Sequence, residues 1–216
     1  ALVVQPAVAQ TGYPQKPIRL VIPFPAGGAT DIIGRSLALK LSTALGQQVV
    51  VDNKPGAGGV IGADTVAKAA PDGYTLVLAT SSTHSVGPAM SARMPYDAFK
   101  DFIPVVTVAN APSVLVVGAG FPAQTVSELV RMVKENPGRY NFGSSGIGTY
   151  PHLTAEMFKW RAGNLFAVHI PYRGTAPAVS DVLAGQVDTV FTGAPALLPH
   201  IRSGRLRALA VSSPER

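Results

Sequence analysis

The chain has no cysteine among its 216 residues. This excludes a disulfide framework, a thiol nucleophile and a thiolate zinc site. Charged residues are scarce, at 14% against a usual value of about 25%. No apolar run reaches the ~18 residues that a membrane-spanning helix needs. Nor is there a run of Lys or Arg. The net charge of +6 comes from dispersed basic residues, with Arg202, Arg205 and Arg207 around Gly204 the densest group. Such a surface speeds encounter with anions without giving a nucleic-acid footprint. The four histidines (84, 152, 169 and 200) are far apart and show no paired metal-ligand spacing, so no metal and no cofactor is expected.

Hydrophobic residues make up 47% of the chain, a globular composition. The first ten residues, "ALVVQPAVAQ", are apolar and end in Ala7-Val8-Ala9. Small residues at that spacing match a secretory cleavage site before Gln10, so residues 1–9 are expected to be a signal-peptide remnant. Apolar runs then alternate with helical patterns. Strand 18–24 is followed by helix 30–46, with Ile33, Leu37, Leu41 and Leu45 on one face, and then by strand 48–53, helix 58–70 and strand 74–80. This is an α/β order with a parallel sheet. Two strand-like runs, 103–109 and 113–117, interrupt the pattern before it restarts. Helix 125–135, strand 140–143, helix 151–161, strand 166–170, helix 175–184, strand 187–192, helix 195–203 and strand 206–211 follow. Two α/β domains are therefore expected, residues 13–106 and 107–205, with 206–216 a strand returning towards the first.

Three glycine-rich turns follow strands and open helices: "PAGGATD" (25–31), "PGAGGVIG" (55–62) and "GSSGIGT" (143–149). Ligands of open α/β sheets bind at the carboxyl ends of strands. Helix starts there offer unpaired N–H groups and partial positive charge, and glycine lets a ligand approach the backbone. None of the turns carries the lysine of a phosphate-binding P-loop. The dinucleotide pattern G-x-G-x-x-G fails at Ile61, and the hydrolase pattern G-x-S-x-G fails at Ile147. Anion binding between two jaws is the reading that remains. Ala26 to Gly28 are expected to expose their N–H groups, with Thr30 or Asp31 capping the helix behind them. "TSSTHS" (80–85) adds a row of hydroxyls at another strand end. Phe24, Tyr150 and Tyr172 flank the turns. Asp188, at a strand start, has a cleft-facing and a structural reading that stand level.

"PFPAGGATDIIGRSLALKLSTALGQQVVVDNKPGAGGVIGADTVAKAAPDGYTL", "MPYDAFKDFIPV", "NFGSSGIGT", "HIPYRGTAPAVSDVLAGQVD" and "LPHIRSGRLRALAVSSPER", in that order, resemble the extracytoplasmic solute receptors of tripartite tricarboxylate transporters, the Bug proteins. The resemblance covers residues 13–216. It implies a periplasmic location and a two-domain periplasmic-binding-protein fold, each domain a sheet flanked by helices, with a hinge between. It further implies capture of a small mono- or dicarboxylate, with no enzymatic activity, and delivery to the membrane components of the transporter; a monomer is expected. Position by position, the resemblance assigns ligand binding to Phe24, Ala26, Gly27, Gly28, Thr30 and Asp31. It extends the assignment to Ser81, Ser82 and His84, to Ser145, Gly146, Gly148 and Thr149, and to Asp188. In the family the first domain takes back the C-terminal part of the chain. The stop after "VSSPER" implies that this part of the first domain is missing here. Two other readings are weighed. An α/β hydrolase acting on a small ester or phosphate would rely on Ser145. The sensor domain of a transcription regulator would need a helix-turn-helix module, which the sequence lacks.

Overall fold

The structure, a computed structural model, describes residues 12–213. The expected signal-peptide remnant, residues 1–9, and the last three residues lie outside them. The first sheet contains β1 (Ile18–Ile22), β2 (Val49–Asn53) and β3 (Thr75–Val77), all parallel, in the order β2-β1-β3. β1 is central and apolar on both faces, so Ile18, Leu20, Val21 and Ile22 are almost wholly buried. This is the pattern that parallel sheets impose. Helix α1 (Ala29–Leu45) crosses from β1 to β2 and ends at Gly46, which adopts a left-handed conformation and donates to the Ser42 carbonyl. Helix α2 (Val60–Ala67) joins β2 to β3. A π-helical turn over Ser82–Val86 and the short α3 (Gly87–Met90) follow β3.

The second sheet has the order β6-β5-β7-β4-β8. Its strands are β4 (Ser113–Gly118), β5 (Asn141–Ser144), β6 (Val168–Pro171), β7 (Thr189–Gly193) and β8 (Leu206–Val211). β5, β6 and β7 run parallel, while β4 is antiparallel to both β7 and β8. The helices are α4 (Val126–Glu135), α5 (Tyr150–Arg161), α6 (Thr175–Leu183) and α7 (Ala194–Arg202). One apolar core lies on each face. Leu115, Val117, Leu129, Phe142 and Phe191 pack on one side; Val114, Val116, Val179, Val190 and Leu197 pack on the other. The alternation of Val114 to Val117 between the two cores is the period of two that a central strand dictates. A capping box at Thr125 and Glu128 starts α4.

One expectation differs from what is seen. The run 103–109 is not a strand: Ile103, Val105 and Val106 are 87%, 80% and 75% exposed, and no described strand lies beside them. A β-branched run becomes a strand only when a neighbour takes its backbone hydrogen bonds. The segment 206–216 was expected to return towards the first domain. Through Val211 it is the edge strand of the second sheet, antiparallel to β4, and its end lies beside the start of β4, with Ser212 N–H donating to the Ser113 carbonyl.

Helix α2 sits directly on the chain leaving β1. A methyl group at Gly62 would stand 2.7 Å from both the Lys54 carbonyl oxygen and Pro23 Cα. These are backbone atoms that cannot rotate away. Gly62→Ala is therefore expected to destabilise the fold by about 1–3 kcal/mol, the usual cost of overpacking, read as a lower urea midpoint with an unchanged m-value.

Candidate anion-binding cleft

The turn after β1 is held by one buried carboxylate. Asp31, 3% exposed in the first turn of α1, accepts at 2.9 Å from Gly27 N–H, from Arg35 Nε and from Asn53 Nδ2. Asn53 Nδ2 also donates to the Phe24 carbonyl at 3.0 Å, and Arg35 Nη2 donates to Asn53 Oδ1. Burial pushes the Asp31 carboxyl up. The hydrogen bonds from Arg35, Gly27 and Asn53 together outweigh it and hold the group below its ordinary value, hence ionised. Asp31 is thus a latch that fixes the path from Phe24 to Gly27. This corrects two expectations. The N-cap of α1 is Gly28, which has no side-chain cap bond, so neither Thr30 nor Asp31 caps the helix. The Gly27 amide is already taken by Asp31. The first helical bond runs from Ile32 N–H to the Gly28 carbonyl, so the amides without an intrahelical partner are those of Gly28 to Asp31.

The turn after β5 is also satisfied from within. Thr149, fully buried, donates from Oγ1 to the Gly146 carbonyl at 2.7 Å and receives the Ser145 hydroxyl at 3.2 Å. Gly148 N–H donates to His152 Nδ1 at 3.2 Å. Ser145 therefore has no histidine beside it and lacks the base that a serine nucleophile needs. The serine that does meet a histidine is Ser144, whose Oγ lies 2.7 Å from His169 Nε2, and that serine is fully buried. Tyr150 N–H, at the start of α5, donates to Ser82 Oγ at 2.9 Å. Ser82 thus joins the two halves of the molecule.

Contacts between the halves locate the cleft. A methyl group at Gly28 would stand 3.6 Å from Thr175 Cβ, and one at Gly27 would stand 3.7 Å from Ala176 Cβ. One at Gly193 would come within 2.8 Å of Ala29 Cβ, and one at Gly58 within 3.6 Å of the Ile147 carbonyl oxygen. The starts of α1, α6 and α7 therefore meet, with the start of α5 held alongside by Ser82. Gly174, just before α6, has φ 132°, and a side chain there would also strike Pro25 at 2.6 Å, so only glycine fits. Thr175 and Thr192 approach hydroxyl to hydroxyl at 3.3 Å beside this junction. The turns 25–31 and 143–149 contain no Lys or Arg.

The residues named from the sequence separate into groups. Phe24, Ala26, Gly27, Gly28, Thr30 and Asp31 form the first jaw, with Asp31 behind it as the latch. Ser145, Gly146, Gly148 and Thr149 lie on the turn of the second half that meets Gly58 and Met90, next to the Tyr150–Ser82 hydrogen bond. Ser82 bridges the halves, and Ser81 beside it is exposed. His84 packs against Phe102 at a centroid distance of 4.5 Å, near Tyr96, with Nδ1 2.9 Å from Thr83 Oγ1. Burial lowers its pKa and keeps it neutral. Asp188 lies elsewhere, preceding β7 at the end of the sheet opposite to Ser144 and Gly193. There its carboxylate accepts Asn141 N–H at 2.8 Å, and Asn141 Oδ1 accepts Asp188 N–H at 2.9 Å. It clasps the starts of two parallel strands and is no cleft residue. Tyr172 braces α6 through a 2.5 Å hydrogen bond from its hydroxyl to Asp181. The sequence reading missed Gly174-Thr175-Ala176 and Gly193-Ala194. A glycine at the strand end and a proline in the first helical turn, in "GTAP" and "GAP", were the available signal.

Residues 33–216 match the family model described as "Tripartite tricarboxylate transporter family receptor". Protein BugT of Bordetella pertussis (strain Tohama I) is 44% identical over 212 residues, covering 98% of this chain and 64% of that protein. The chain thus spans less than two thirds of the length of this relative. Among solved structures, "R. palustris Rpa4515 with adipate" superposes with a TM-score of 0.92 at 35% identity, covering 95% of this chain and 68% of that one. The periplasmic binding protein BugD superposes with a TM-score of 0.89 at 38% identity, covering 94% and 68%. Matched along most of its length by sequence and by fold, the chain belongs to the tripartite tricarboxylate transporter receptor family.

Proposed function

We propose that this chain captures a small organic carboxylate, mono- or dicarboxylate, in the periplasm. It would then present the ligand to the membrane components of a tripartite transporter. The observation that carries the reading is the meeting of three helix starts, α1 from one half and α6 and α7 from the other, with no Lys or Arg in the turns entering α1 and α7 and a single exposed Arg173 ahead of α6. Each helix start offers unpaired amides and a partial positive charge. Charge-assisted bonds from such amides orient a carboxylate without a full counter-charge. The adipate in the related Rpa4515 structure is a ligand of this chemical class. No covalent step is involved, and the two halves close on the ligand as a hinge. The net charge of +6 raises the encounter rate with anions. The protein acts as a monomer, which sedimentation equilibrium tests.

Calorimetry against succinate, glutarate, adipate and acetate is expected to give saturable one-to-one binding of at least one of them. Absence of binding across the set, with binding of a nucleotide, would overturn the reading. Gly193 has an ordinary backbone conformation, φ −66°, so a methyl group there adds no dihedral strain, but at 2.8 Å from Ala29 Cβ it would force the two halves to shift apart. Gly193→Ala is therefore expected to weaken carboxylate binding at least tenfold while leaving the unfolding midpoint unchanged. Asp31→Asn removes the charge of the latch. Its hydrogen bonds to Arg35 and Gly27 are worth about 1.5–3 kcal/mol each while the acceptor is ionised. A loss of stability of that order is expected at pH 7. Because the folded pKa lies below 3.8, the stability advantage of wild type over Asp31→Asn is expected to persist down to that value and to shrink as pH falls further.

A further inference from the structure

Under the turn 144–149 lies a stack of three rings from three elements. His169 of β6 is sandwiched between Phe142 of β5, at a centroid distance of 4.7 Å, and His152 of α5, at 4.1 Å, with interplanar angles of 14° and 12°. Both histidines hold the turn. Gly148 N–H donates to His152 Nδ1 at 3.2 Å, which requires an unprotonated Nδ1. His169 Nε2 lies 2.7 Å from Ser144 Oγ, and that hydroxyl reaches both the N–H and the carbonyl of Gly146 at 3.2 Å. The charged groups facing the pair are Glu156 and Lys159, both on α5. Glu156 Oε1 is 3.9 Å from His152 Nε2, but it is already paired with Lys159 Nζ at 2.9 Å. Lys159 Nζ in turn lies 4.8 Å over the Phe142 ring. β5, β6 and residues 145–149 bring no other ionisable side chain.

We infer that the His152–His169 stack is an acid-sensitive clasp on the ligand turn: proton uptake by the pair opens residues 144–149 and weakens the grip on an anionic ligand. A proton on His152 Nδ1 turns the acceptor for Gly148 into a second donor, and the hydrogen bond is lost. Two imidazolium rings stacked at 4.1 Å also repel, with the Glu156 carboxylate already shared with Lys159. Burial lowers the affinity of both histidines for protons, and the His152 ring lowers that of His169 further, bringing it down to about 4. The opened turn returns the rings to water and to an ordinary value of about 6.5. The closed turn therefore keeps its full stability above about pH 6.5 and loses it progressively as pH falls towards about 4. The effect on ligand binding rests on the carboxylate reading given above; the opening of the turn does not.

The test is amide hydrogen exchange of residues 144–149 in the ligand-free protein at pH 7 and pH 5, corrected for intrinsic exchange rates. Protection in wild type is expected to fall on the order of tenfold at pH 5. In His152→Asn, whose amide oxygen reaches the position of Nδ1 but does not titrate, it is expected to change less than threefold. His169→Gln, which keeps a polar group near Ser144, is expected to blunt the change independently. Protection that is equal at the two pH values in wild type, or that falls equally in both variants, would overturn the inference. Succinate titrations of wild type and His152→Asn at both pH values add the functional arm. The ligand's own protonation cancels between the two proteins, so a larger acid loss in wild type is expected, and an identical loss would overturn the link to binding. Failure of every carboxylate to bind at pH 7 would count against the functional reading, and the exchange measurement would still decide the clasp.

Discussion

A backbone amide can grip a ligand only if the protein has not already used it, and the first turn of a helix is where a folded chain leaves amides unused. The cleft depends on this constraint. The turns 25–31 and 143–149 carry no Lys or Arg, so the proposed anion would be met there by N–H groups, and those groups must be aimed by something rigid. Parallel strands do the aiming, because β1, β5 and β7 each deliver the chain into a helix start. The latch at Asp31 shows the division of labour. Its carboxylate takes the Gly27 amide and two side-chain hydrogen bonds for structure, which on the proposed reading leaves the amides of the first helical turn for the ligand. Close packing of glycine against the opposite half, as at Gly174 and Gly193, brings helix starts nearer than any side chain would permit.

Much of this could be read from the residues. Apolar runs bounded by glycine gave the strands of both sheets, and glycine turns without lysine pointed away from phosphate loops towards another anion. What escaped had local physical causes. The run 103–109 has strand composition but no described partner, and pairing is not written in composition. Asp188 looked available because an acid at a strand boundary has no fixed address. Which end of the sheet it occupies follows from strand direction, and its clasp with Asn141 becomes visible only when β5 and β7 lie side by side. Gly174 and Gly193 were passed over because one glycine before a helix is common. Their meaning comes from the opposite wall, which no local pattern encodes.

The histidines illustrate the same limit from another side. His152 and His169 are seventeen positions apart and show no motif, yet the parallel pairing of β5 with β6 and the placement of α5 over them bring their rings into contact. A sheet can therefore build a titratable pair out of residues with no sequence signature. The pair sits beneath a loop whose own residues carry no charge, so under the inferred clasp an uncharged turn would take its dependence on protons from the layer below it.

The single antiparallel strand among the central strands of the second sheet has a mechanical meaning. Because β4 runs against β7, its first residue, Ser113, lies beside Gly193 at the cleft end of the sheet. The chain from the first half thus arrives at the rim of the cleft. The tether between the halves stands next to the α7 start, while the turn after β5 lies two strands further out, about 10 Å away at ordinary strand spacing. A rotation about that tether would move the α7 start least, the 144–149 turn more, and the α6 start beyond the edge strand β6 most. On the proposed hinge reading the inner contact would act as an axle bearing and the outer turns as the end of a lever, so that ligands of different length would be met by different small angles of swing around one fixed grip.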